Sequence, residues 1–66
     1  MSAQQGQLIF IILVSHRFYG SLYVSQNELV EGRSNAQIFT GTFDEARVLE
    51  LKFKHLHKQQ CYAQFI

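Results

Sequence analysis

The chain opens its apolar pattern with an unbroken run, Leu8-Ile9-Phe10-Ile11-Ile12-Leu13-Val14, before a polar break at Ser15-His16-Arg17. Seven apolar residues without alternation, β-branched or aromatic for the most part, predict a strand buried on both faces. From Phe18 to Ser25 the pattern alternates. Phe18, Leu22 and Val24 share one parity, and Tyr19, Ser21, Tyr23 and Ser25 the other. That is a half-buried strand with a wetter, tyrosine-bearing face. Gln26-Asn27-Glu28 reads as a turn into a short returning strand at Leu29-Val30, although Ser25 and Glu28 also fit the capping box of a single helical turn. A polar break at Gly32–Asn35 precedes a further strand over Ala36–Thr42.

Thr42-Phe43-Asp44-Glu45 is the sharpest local signal. It matches a capping box, with Thr42 as cap and Glu45 reaching back. Asp44 and Glu45 also stand at the positive end of the helix dipole. The helix it starts runs from Phe43 to about Lys58, with Ala46, Leu49, Phe53 and Leu56 on one stripe. Leu51 falls nearly opposite that stripe, flanked by Val48 and His55. Cys61 to Ile66 reads as a last strand, which the helix could place parallel beside the first. The fold class expected is therefore α+β: a small, mostly antiparallel sheet of four to five strands with one helix on one face, in the order β-β-β-α-β. Residues 1–6 read as a flexible tail and 7–66 as a single domain.

One helix covers one face of a sheet, yet the first strand is apolar on both. Leu8, Phe10, Ile12 and Val14 form one set; Ile9, Ile11 and Leu13 form the other. The second set needs a cover, either a loop folded back from the same chain or another molecule. With Tyr19, Tyr23 and Phe39, and with Tyr62 as a further candidate, Ile9, Ile11 and Leu13 make the expected interface, since tyrosine is enriched where proteins meet. Size supports this: a domain of 66 residues buries only about 60% of the surface its unfolded chain exposes, so its stability is marginal. The partner expected is a protein, a second copy of the chain included.

Chemistry narrows the choice further. A hydrophobic fraction of 47% with 17% charged residues is not that of a disordered chain. A net charge of +1 suits neither a polyanion mimic nor a strongly basic nucleic-acid wrapper. No apolar run approaches the roughly 20 residues of a membrane helix, and no basic start of a secretory signal precedes Leu8. A single cysteine, Cys61, allows no internal disulfide and fits a reducing, cytoplasmic setting. His55, His57 and Cys61 are spaced wrongly to converge on a metal, so no metal or other cofactor is expected. No nucleophile–base pair, phosphate loop or dinucleotide fingerprint occurs, and an enzyme is not expected. The rival reading is a small RNA- or DNA-binding module. It would use Arg47, Lys52, Lys54 and Lys58 on the helix and the sheet aromatics as stacking platforms.

Over Leu8 to Ile66 this plan, a bent antiparallel sheet with one helix and no catalytic set, resembles phage-encoded inhibitors of host defence, the anti-CRISPR proteins in particular. The resemblance implies stoichiometric binding to a protein of the defence machinery, blocking its access to DNA or its recruitment of a nuclease. The nearly balanced charge departs from the acidic, DNA-mimicking members. Surface plugging or forced oligomerisation is the mechanism that remains.

Overall fold

A computed structural model describes residues 7–66; the expected tail at 1–6 lies outside the described residues. The elements are β1 (Leu8–His16), β2 (Gly20–Ser25), β3 (Glu28–Val30), a 3-10 turn (Arg33–Asn35), β4 (Phe39–Gly41), α1 (Phe43–His57) and β5 (Gln60–Phe65). This is the α+β plan of one helix on an antiparallel sheet, in the anticipated order.

The long apolar strand is the centre of the sheet. Phe10–Ser15 pair with β5 along one edge. Along the other edge, Leu13–His16 pair with β2 and Leu8–Phe10 pair with β4. β2 and β4 therefore lie end to end on the same side of β1, and β3 extends the sheet beyond β2. The β2–β3 hairpin turns on Gln26 and Asn27, both with positive φ (51° and 68°), the backbone of a two-residue type I′ turn. Helical geometry does appear in this region, but only as the 3-10 turn at Arg33–Asn35.

Two expectations change. The strand foreseen over Ala36–Thr42 is only three residues long. The Gln37 amide donates to the Val24 carbonyl (3.0 Å), so the chain before Phe39 is held against β2 and reaches β1 late. The last strand also runs antiparallel to the first, not parallel. The reason is where the crossover begins. β4 ends beside the start of β1, with Gly41 opposite Leu8. The helix, about 22 Å long at 1.5 Å per residue, carries the chain to the far end, where Gln60 faces Ser15. β5 can then only run back. The helix thus connects two strands that are parallel to each other, β4 and β5, with β1 inserted between them.

The helix begins where the sequence places it. Thr42 Oγ1 accepts from the Glu45 amide (3.1 Å), and the Thr42 amide donates to Glu45 Oε1 (2.7 Å). Gly41 makes this possible: a Cβ there would stand 2.7 Å from Glu45 Oε1. At the other end Lys58 takes the left-handed conformation and its amide closes on the Lys54 carbonyl. Ala46 and Phe53 are the helix residues fully buried. They pack on Phe10, Ile12 and Val14 of β1, Leu22 and Val24 of β2, and Cys61 of β5, with Leu49, Phe39 and Ala63 partly buried around them. Phe39 stacks on Phe10 (5.7 Å between ring centroids), and Phe53 meets Phe39 at a tilt, 6.0 Å away. Leu56, expected on the buried stripe, is exposed.

Candidate functional site

The face of the sheet away from the helix carries Ile9, Ile11 and Leu13 of β1. Register adds Tyr23 opposite Leu13 on β2, Thr40 opposite Ile9 on β4, and Tyr62 and Gln64 opposite Leu13 and Ile11 on β5. Of the six residues expected to form an interface, Ile9, Leu13 and Tyr23 lie here with accessible surface. The other three do not serve as foreseen.

Ile11 points to this face but is only 2% exposed. The Arg33 guanidinium, from the 3-10 turn on the β2 side, donates to the side-chain oxygen of Gln64 on β5. That bond spans β1, and Gln64 is the cross-strand partner of Ile11. The chain's own Arg33–Gln64 bridge therefore lies over Ile11. Phe39 is opposite Phe10 and so belongs to the helix side, where it joins the core. Tyr19 lies in the turn before β2. Its ring packs on His16 (4.8 Å), and the amides of Phe18 and Tyr19 both donate to His16 Nδ1. It borders a shallow depression with Leu22 and Leu29, again on the helix side.

Three residues replace them. Ile38 shares the parity of Thr40, Ile66 donates its amide to the Ile9 carbonyl, and Tyr62 faces Leu13. With Ile9, each of these is at least half exposed. Ile38 was hidden in the sequence because its parity depends on where β4 meets β1.

A second surface lies on the outer side of the helix. Val48 and Leu51 are 63% and 66% exposed. They floor an open groove of about 1090 Å3 that continues to Ser15 and Arg17 at the end of β1 and to Gln59 and Gln60 at the start of β5. Lys52, Lys54 and Lys58 line it, as three of the four cations expected on the helix. Arg47 does not: its Nε sits 3.5 Å from Glu50 Oε1, and its guanidinium lies over the Phe43 ring at 5.6 Å. Arg17 takes its place, brought in by the β1–β2 turn, whose Arg17 amide donates to Gln59 Oε1 (3.1 Å).

Glu50 has a further role. Its Oε2 accepts from the Ala63 amide at 2.6 Å. Ile11 and Gln64, flanking this position, belong to the pairs that bond to each other, so the Ala63 amide points outward from the edge of the sheet. The helix thus occupies an edge donor that would otherwise be open to another strand.

The histidines and the cysteine do not form a site. His57 stacks on Phe53 (6.3 Å) and is half-buried, while His55 is exposed on the outer side. Among the described residues no group of three potential ligands comes together. Cys61 is buried, and burial raises its thiol above the ordinary value, with the Glu50 carboxylate adding to the effect. A thiol shifted in that direction is a weaker source of thiolate. Among the described residues no helix is long and apolar enough to cross a membrane.

Comparison with protein-family models, with curated proteins and with solved structures returned no match.

Proposed function

We propose that this chain is a non-enzymatic protein-binding module that acts through the open face of its sheet. One observation carries the reading: Ile9, Ile38, Tyr62 and Ile66 stand at least half exposed on the single face that the helix leaves free. Apolar side chains scattered singly over a surface need no explanation, but several large ones gathered on one face mark a contact region. Tyr23 and Leu13, half-buried beside Tyr62, extend it, and the Arg33–Gln64 bridge divides it into two apolar ends. The partner is a protein, either a second copy or a component of a host defence complex as the architectural resemblance implies, and the setting is the cytoplasm. The nucleic-acid alternative keeps its lysines, but Phe39 lies in the core and does not offer a stacking platform.

The test is a double substitution, Ile9→Lys with Ile38→Lys, at exposed positions that the core does not use. Sedimentation velocity of the wild type and a pull-down from lysate, each repeated with the variant, read the outcome. Loss of self-association or of a captured protein, with the circular dichroism spectrum unchanged, supports the reading. A wild type that stays monomeric and captures nothing beyond what the variant captures removes it.

A further inference from the structure

The groove on the outer side of α1 is not part of that sheet face and has its own chemistry. It gathers Arg17, Lys52, Lys54 and Lys58, four of the six lysines and arginines in the chain. None of the five aspartates and glutamates lines it. The two remaining cations are engaged within the molecule, Arg47 with Glu50 and Arg33 with Gln64. Among the described residues no carboxylate lies within ion-pair distance of the groove's four; Lys52 has its ammonium 5.3 Å from the centre of the Phe53 ring. The net charge of +1 therefore conceals a strong local asymmetry.

The floor distinguishes among anions. Val48 and Leu51 are aliphatic and one helical turn apart, so they offer anchoring contacts to apolar side chains three or four residues apart on a facing helix. From Val48 to Lys58 the groove follows α1 for about 15 Å, room for some ten residues of such a helix. Among the described residues His55 is the one aromatic ring lining it, with no phenylalanine, tyrosine or tryptophan, whereas a single-stranded nucleic acid stacks successive bases on several aromatic faces. A cationic rim around an aliphatic floor is complementary to a helix with an aliphatic stripe flanked by carboxylates.

We propose that this groove docks an acidic amphipathic helical segment of a partner protein. Val48 and Leu51 receive its aliphatic stripe, and Arg17, Lys54 and Lys58 face its carboxylates.

The test uses a labelled synthetic 16-residue probe helix with leucines at positions three and four apart and glutamates beside them. A scrambled peptide of the same composition and a labelled single-stranded oligonucleotide serve as comparisons. Fluorescence anisotropy is read against the wild type, Leu51→Ser, the pair Lys54→Glu and Lys58→Glu, and Ser34→Ala. The expected result is saturable binding of the probe helix and a loss of about tenfold or more in affinity for the scrambled peptide. Leu51→Ser and the lysine pair each lose a comparable factor, and Ser34→Ala, exposed in the 3-10 turn away from the groove, binds as the wild type does. The substituted positions are exposed, and an unchanged far-ultraviolet spectrum verifies that each variant is folded. Three results overturn the proposal: no binding of the probe helix at millimolar concentration; equal binding of the scrambled peptide with no effect of Leu51→Ser, which is plain polyanion attraction; or an oligonucleotide that binds more tightly than the probe helix with a steep salt dependence, which is phosphate recognition.

Discussion

Replacing Glu50 by alanine removes, among the described residues, the helix side chain that hydrogen-bonds to the edge of β5. The bond lost is the short contact from the Ala63 amide to Glu50 Oε2, 2.6 Å long and charge-assisted. Hydrogen bonds to charged groups contribute about 1.5–3 kcal/mol where burial is complete. Here the Glu50 side chain is 22% exposed, and water can reach the freed amide at a sheet edge, so the loss falls around and below the lower end of that range: about 1–2 kcal/mol. The ion pair with Arg47 adds little, about 0–0.5 kcal/mol, because the arginine side chain is 63% exposed. Glu50→Gln keeps an acceptor oxygen and loses the charge, and so costs roughly half as much. In urea unfolding, with a slope of about 1 kcal/mol per molar for a chain this small, the midpoint falls by about 1–2 M for alanine and about half that for glutamine. Amide exchange at Ala63 accelerates in both variants, more in alanine. Stability within about 0.3 kcal/mol of the wild type in Glu50→Ala, with Ala63 exchange unaltered, would refute the assignment of Glu50 as a hydrogen-bonded fastening between helix and edge strand.

The helix start and the buried thiol make separate predictions. Thr42→Ala deletes half of the capping box and costs about 1 kcal/mol, a fall of about 4–8 °C in the calorimetric midpoint. Gly41→Ala displaces Glu45 from the same box, so the two losses combine to less than their sum in a double-mutant cycle. Cys61 has a folded-state pKa raised above its ordinary 9.0, mainly by burial. Its contribution to stability is therefore complete below that value and lost as pH climbs through the folded-state pKa. The alkaline limb of the stability curve flattens in Cys61→Ala, and a thiol reagent at pH 8 modifies the wild type slowly until urea is added; rapid modification of the folded protein at that pH contradicts the burial argument.

Local chemistry was legible where it acts over a few residues. Thr42 and Glu45 announce the helix start because both partners of the capping box lie within four positions, and the apolar run at Leu8–Val14 declares a central strand because it is too short for a stable helix and rich in β-branched residues. What escaped the sequence depends on contacts between distant segments. The direction of β5 follows from the helix starting after β4 and not after β1, which no local pattern records. Phe39 reads as a free aromatic until its register with Phe10 places it in the core. Arg17 and the helix lysines are more than thirty positions apart, and only the β1–β2 turn bonded to Gln59 puts them around one groove.

Both parities of β1 are apolar, and one helix covers one of them, so the other parity must be covered at least in part. The chain does this itself at the middle, where the Arg33–Gln64 bridge lies over Ile11, and leaves the ends open at Ile9 and around Leu13. A polar bridge over an isoleucine is a sensible cover for a monomer, because guanidinium and amide keep their remaining donors and acceptors in water while their aliphatic stems shield the apolar surface. It also constrains any interface on this face. A partner that spanned both ends would have to remain wet over Arg33 and Gln64 or displace their bond. A partner that used one end alone would meet Ile9, Ile38 and Ile66, or else Leu13, Tyr23 and Tyr62. Substituting Ile11 therefore tests the fold, whereas substituting Ile9 with Ile38 tests the contact.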